Sequence, residues 1–189
     1  MKPIRIIAWA VVSLCAMTIA ASCGQRQAKN ETSEETVYTA IDRYITETIG
    51  EGYDTADYSI PFHSYAVVDE SDPEDIKVLG DFWLLNYNLS GDTLKTASGG
   101  AYPGKMHVRK TGDRYEVTSF EPVGDGSEFT PTAKSIFGDK YEEFAAANSD
   151  ENAREAARLK AVEEFVKANK LSVKFLQDYG WPAVEIPTE

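Results

Sequence analysis

"IKVLGDFWLLNYNL", residues 76–89, is the stretch on which the fold turns. It is apolar enough, and rich enough in aromatic and β-branched side chains, to be a central β-strand. Strand alternation then sends Phe82 and Leu84 to one face of a sheet and Trp83 and Leu85 to the other. One of these pairs must meet a helix if the strand is to be covered. Working outward, 62–68 is a second aromatic and β-branched run, and Ser90-Gly91-Asp92 is a turn that leads into a shorter strand, 93–97. Residues 105–110, Thr111-Gly112-Asp113 and 114–120 read as strand, hairpin turn and strand.

The helix that should cover this sheet precedes it. Val37, Ile41, Tyr44, Ile45 and Ile49 recur at helical intervals until Gly50 and Gly52 stop the run. Thr32-Ser33-Glu34-Glu35 has the spacing of a capping box in front of it. The expected class is α+β, with an N-terminal helix packed on a curved, four- to five-stranded antiparallel sheet. C-terminal helices follow. Residues 131–137 and 141–147 are short ones, and 150–169 is the clearest in the chain, with Leu159, Val162, Phe165 and Val166 as its apolar stripe. Asp150 and Glu151 open that helix and Lys167 and Lys170 close it, in keeping with the helix dipole. Glu155–Arg158 and Glu163–Lys167 stand at pairing distance and read as a solvated face. Residues 171–176 add an edge strand, and 177–187 end as a loop packed by Tyr179 and Trp181.

The first 22 residues have a different character. Lys2 and Arg5 give a basic start, 6–19 carries no charge, and Ala20-Ala21-Ser22 are small, which is the order of a secretory signal. The apolar run falls short of the roughly 20 residues a membrane helix needs. Cys23 directly after Ala20-Ala21-Ser22 resembles the lipobox of bacterial lipoproteins, with Ala20 where most of them carry Leu. That resemblance implies acylation of the Cys23 thiol and cleavage just before it. Cys15, preceded by bulky Leu14, fits poorly. A soluble secreted chain and an uncleaved anchor helix are the alternative readings. The expected organisation is a signal peptide (1–22), a lipidated tether (23–33) and one α+β domain (34–189).

Cysteine count and charge fit this organisation. Removing 1–22 leaves Cys23 as the sole cysteine, so no internal disulfide is possible. The acyl chains supply about 0.8 kcal/mol per buried methylene. The chain carries a net charge of −12, and losing Lys2 and Arg5 leaves −14. Such a surface repels nucleic acid and anionic lipid, so nucleic-acid binding is excluded and the acyl group is needed to hold the membrane. The polar tether spans roughly 17 Å on average, against a head of about 15 Å radius of gyration. Some Gram-negative lipoproteins carry an acidic tag after the cysteine that sends them to the cell exterior. Gly24-Gln25-Arg26-Gln27 lacks it, which favours a periplasm-facing position in the cell envelope.

A second resemblance lies in "SGGAYPGKMHVRKTGDRYEVTSFEPVGDGSEFTPTAKSIF", residues 98–137. The Ser-Gly-Gly start, the hairpin ending in Tyr-Glu-Val, Phe before Glu-Pro, the Asp-Gly turn and the short helix ending in Ile-Phe occur together. The combination resembles an extracytoplasmic domain found alone in lipoproteins and fused to antibiotic-sensing membrane metallopeptidases. It implies a cystatin-like or NTF2-like fold. It brings no catalytic residue set.

Chemistry-bearing motifs are sparse. There is no nucleophile elbow, HExxH, CxxC or phosphate loop, and no cofactor is expected. His63 and His107 both lie in strands and are the candidates for acid–base work in a concave pocket, although a strand histidine is more often a packing residue. The acidic run 69–75 has hard oxygens for calcium but lacks the spacing and glycine of an EF-hand. Asp54-Thr55-Ala56 and Asp92-Thr93-Leu94 match a pattern of bacterial periplasmic O-glycosylation, making Thr55 and Thr93 candidate acceptors, though both triplets also make good turns. Tyr65, Trp83, Tyr87, Tyr102 and Tyr115 form a candidate binding face. Two function classes follow. One is a non-catalytic interaction module for an envelope protein, peptide or glycan. The other is a small-ligand carrier or enzyme with His63 or His107 in a sheet pocket.

Overall fold

A computed structural model describes residues 35–187. The signal segment, Cys23 and the tether lie outside the described residues. Helix α1 (Val37–Tyr44) continues through a π-helical turn (Ile45–Ile49) and a 3-10 turn (Gly50–Gly52). Strands β1 (Tyr58–Asp69), β2 (Ile76–Ser90), β3 (Thr93–Thr111) and β4 (Arg114–Pro122) follow as an antiparallel meander. Then come α2 (Phe129–Phe137), α3 (Tyr141–Ser149), α4 (Glu151–Ala168), β5 (Phe175–Gln177) and β6 (Val184–Glu185). The class is α+β, an N-terminal helix on a curled sheet with C-terminal helices, as a cystatin-like or NTF2-like description implies.

The sheet has six strands, one or two more than expected, and is mixed. Its order is β1-β2-β3-β5-β6, with β4 also on β3. β5 pairs parallel to the start of β3, Thr93 with Phe175 and Lys95 with Gln177. The expected strands 93–97 and 105–110 are one strand of 19 residues. Gly99, Gly100, Pro103 and Gly104 read as a break in the sequence, but in the fold they permit close approach. A Cβ at Gly99 would meet the Leu84 carbonyl, and one at Gly104 would meet the Glu121 carbonyl and the Phe120 ring. Strand glycines of this kind mark tight bends in a continuous sheet.

Phe82 and Leu84 face α1. They form one apolar cluster with Val37, Ile41 and Ile45 from the helix side and Ile76, Val78, Met106 and Val108 from the sheet. Each such fully buried side chain contributes about 1.5–3 kcal/mol. The opposite face is covered too. Leu85 joins Ile60, Tyr87, Leu94, Val162 and Leu176 under α4, and Tyr65 and Leu79 pack on Ala133, Phe137 and Phe144 of α2 and α3. The Phe137 and Phe144 rings stack at 3.9 Å.

The N-cap of α1 is Thr36, four residues after the expected Thr32. The Thr36 hydroxyl accepts from the Thr39 amide, and the Thr39 hydroxyl accepts from the Thr36 amide, closing a capping box at 3.2 and 2.7 Å. Threonine at the third helical position does the work usually given to Glu or Gln. Asp150 caps α4 through the Ala153 amide at 3.0 Å.

Candidate functional site

Arg158 departs most from its expected place. It lies on α4 at the four-residue interval that also carries Val162 and Val166, so it points into the sheet and is 8 % exposed. Its guanidinium grips the Asp178 carboxylate through two bonds of 2.7 Å. It also donates to the Tyr87 hydroxyl (3.0 Å), the Thr96 hydroxyl (3.1 Å) and Glu155 (3.3 Å). The Thr96 hydroxyl donates in turn to Asp178. A planar fork on a carboxylate is the geometry that lets arginine be buried. Burial pulls the Arg158 pKa down, but bonding to Asp178 and Tyr87 outweighs it and the net shift is upward. The Arg158 bond holds the Asp178 carboxyl below its ordinary range. Burial drives the Tyr87 phenol up to about 12. At neutral pH the network is a fixed ion pair with a neutral phenol.

This lock fastens the C-terminal segment. After Asp178 the chain makes a tight turn through Tyr179 and Gly180, both with positive φ (24° and 88°). The Trp181 amide donates to the Asp178 carbonyl at 2.6 Å, and the Gln177 amide group donates to the Trp181 carbonyl at 2.9 Å. Ile186, buried, ties the end of the segment down through a bond to the Lys174 carbonyl (2.8 Å). The expectation that Tyr179 and Trp181 pack this loop is overturned. They are 71 % and 72 % exposed, and Val184 beside them is 57 % exposed. Ile186 and the Arg158–Asp178 pair do the holding instead.

The five aromatics of the candidate face do not share a face. Tyr102 and Tyr115 lie on the α1 side, packed against its cluster. The Tyr102 hydroxyl pairs with that of Tyr53, and burial pushes the Tyr102 pKa above its ordinary value. Tyr65, Trp83 and Tyr87 lie on the other side under α2, α3 and α4. Trp83 stacks on Phe62 (5.8 Å) with the Arg154 guanidinium 5.3 Å over its ring. Tyr87 is fully buried. A half-covered sheet would have exposed one set, whereas helices on both sides put these aromatics in the core or at its margin.

The two histidines differ. His63 on β1 stacks flat under Tyr38 at 4.9 Å, and burial, with Lys160 on α4 adding to it, lowers its pKa. On α1, Asp42 is half-buried and its carboxyl group has no hydrogen bond or ion pair among the described residues. Burial, reinforced by Glu164 of α4, raises its pKa to about 7. His107 on β3 bridges two carboxylates, Asp75 at 2.6 Å and Glu121 at 2.9 Å. The Asp75 bond, helped by Glu121, raises its pKa against a smaller opposing effect of burial. Two open clefts of about 410 and 200 Å³ flank α1, and neither histidine lines them.

In the acidic run, Asp69 and Asp72 accept from the Ser71 and Glu74 amides, both at 3.0 Å, and Asp75 pairs with His107 and Lys77. Among the described residues no cluster of three His, Cys, Asp or Glu side chains is arranged to hold a metal ion. Thr55 is exposed between α1 and β1, while Thr93 is half-buried between β2 and β5. Among the described residues no helix is long and apolar enough to cross a membrane. No family model, curated protein or solved structure matches the chain.

Sequence reasoning missed the lock and the exposed turn. Arg158 precedes Val162 and Val166 by four and eight residues, which places it on the buried stripe rather than the wet side. That spacing was the available signal.

Proposed function

We propose that this protein is a lipid-anchored, non-catalytic interaction module of the bacterial cell envelope. Cys23 holds it to a membrane on the periplasmic side, and the C-terminal aromatic turn engages its partner. The carrying observation is the Tyr179–Trp181 turn, two large aromatics in solvent on a backbone fixed by the ion pair between buried Arg158 and half-exposed Asp178. Exposed aromatics cost solubility and are enriched at binding hot spots.

Position supports the same reading. The chain enters the described head at Glu35, whose partner Arg43 also bonds the Tyr115 carbonyl (2.8 Å), near the β3–β4 hairpin. The turn is tied to the β2–β3 hairpin, at the other end of the strands. Residues 78 and 88 of β2, which bracket that path, are about 33 Å apart along the strand. The N-terminal entry and the turn therefore lie at opposite ends of the long strands.

Two measurements test this. Cys23→Ala protein should move from the membrane pellet to the soluble fraction with its unfolding midpoint unchanged. A photoreactive side chain at position 181 of the full chain should give a discrete adduct in intact cells, and one at exposed Arg109 should not. A Cys23→Ala protein that still pellets, or identical labelling at the two positions, would overturn the reading.

A further inference from the structure

We infer that His107 is a proton-operated clamp that holds the acidic β1–β2 loop, residues 70–75, against the sheet and loosens it when the imidazole loses its charge. This goes beyond the interaction-module reading and does not rest on it.

Geometry carries the inference. Nδ1 of His107 stands 2.6 Å from a carboxylate oxygen of Asp75, and Nε2 stands 2.9 Å from one of Glu121. A carboxylate only accepts, so both contacts are hydrogen bonds only when both ring nitrogens carry a proton. A neutral ring has one N–H. Its other nitrogen then turns a lone pair on a carboxylate oxygen, and that contact becomes repulsive. The contact that survives falls from an ion pair to a neutral donor on a carboxylate, which is weaker. Either tautomer therefore loosens the hold on Asp75.

The groups around the ring favour the clamped state. Asp75 comes from the loop and Glu121 from β4, while Lys77 of β2 and Ser119 of β4 are the register partners of His107. Lys77 pairs with Asp75 at 3.6 Å and Lys105 of β3 with Glu121 at 3.1 Å, each on the oxygen that His107 does not use. Both carboxyls are held below their ordinary values, chiefly by His107, so they stay ionised and the ring is the group that titrates near neutrality.

The two ends of the bridge differ in anchorage. His107 and Glu121 sit in the β3–β4 ladder, so weakening the bridge frees the loop and leaves the strands paired. The loop is also tied to β3 by the Lys110 amide on the Pro73 carbonyl at 2.9 Å and by an exposed Arg109–Glu74 pair at 3.8 Å. Glu70, at the start of the same loop, lines the cleft of about 410 Å³ beside α1. The charge on His107 thus sets how firmly that wall of the cleft is held.

Amide hydrogen exchange on the full chain in detergent, from about pH 5 to about pH 9 and corrected for the intrinsic rate at each pH, tests the clamp. The reporters are the Lys110 amide, bonded to Pro73, and the Asp75 amide, bonded to the Asp72 carbonyl at 3.1 Å. Their protection should fall about five- to tenfold as pH rises through the titration of the His107 ring protons, followed by NMR, while β2 amides around Phe82 keep theirs. His107→Gln should abolish this step, and His63→Gln should keep it. Glu121→Gln leaves the Asp75 contact but removes one of the two carboxylates, so the step should move to lower pH. If His107→Gln also loses protection around Phe82, the shift in Glu121→Gln decides. A parent without the step, a step that persists in His107→Gln, or one that Glu121→Gln leaves at the same pH overturns the inference.

Discussion

The two faces of the sheet are closed by different means. On the α1 side the fully buried contact is apolar, with Val37, Ile41 and Ile45 against Phe82, Leu84, Met106 and Val108. On the α4 side Val162, Val166, Leu94 and Leu176 surround a charged arginine. An apolar contact is non-directional and tolerates small shifts, because its free energy follows buried area. A bidentate ion pair fixes distance and angle. The first gives the domain its stability, and the second fixes the geometry of one segment, the strands β5 and β6 and the aromatic turn.

The largest expected effect falls on the apolar side. Ile41→Ala removes a side chain of zero exposure between α1 and the sheet and should cost about 2–5 kcal/mol, read from the midpoint of urea unfolding. An unchanged midpoint in both Ile41→Ala and Ile45→Ala would make α1 peripheral.

Next comes the lock. Asp178→Ala leaves the Arg158 charge buried with only Tyr87, Thr96 and Glu155 around it, and should cost about 3 kcal/mol. Arg158→Leu, which removes the charge as well, should cost less at equilibrium while still freeing the turn. If Arg158→Leu proves the more damaging, packing of the arginine stem outweighs its charge.

The smallest effects are on pH dependence, and they differ in sign from group to group. Asp42 titrates near 7 in the fold and near 4 when unfolded. The folded state therefore holds the extra proton between these values, and stability falls as pH rises through that window. Asp42→Asn should stabilise the protein at pH 8 and leave it unchanged at pH 3. His63, with its pKa lowered by burial, contributes stability above its unfolded value near 6.5 that is lost as pH falls. His107 works the other way. Its raised pKa gives stability that is complete below about 6.5 and disappears as pH rises through the folded value. His107→Gln should flatten the alkaline limb of the stability profile, and His63→Gln the acidic limb.

Much of the fold was legible because it is written in local periodicity. The helical recurrence from Val37, the alternation around Phe82 and the opening of α4 at Asp150 and Glu151 all appear where the pattern places them, with a π-helical turn over Ile45–Ile49 as the departure. The misreadings share a cause, which is that partners distant in sequence decided the outcome. Gly99 and Gly104 look like breakers until the Leu84 and Glu121 carbonyls are seen pressing on them. Arg158 looks solvated until Asp178, twenty residues on, closes over it. Trp83 and Tyr87 look available as a binding face until α3 and α4 fold back across the sheet. The candidate site was the least legible part, because exposure is a property of the whole fold and no local pattern announces that Tyr179 and Trp181 stay outside it.

The central claim is that the apolar core alone does not hold the aromatic turn in place and that the Arg158–Asp178 pair is required. Amide hydrogen exchange on the parent and on Arg158→Leu tests it directly. In the parent, the amides of Phe175, Trp181 and Ile186 are bonded to Asp92, Asp178 and Lys174 and should be protected. In Arg158→Leu these three should lose protection by about a hundredfold, equivalent to about 2.7 kcal/mol of local opening, while β2 amides around Phe82 keep theirs. Uniform loss across β2 and the C-terminal segment, or no loss at Trp181, would contradict the account.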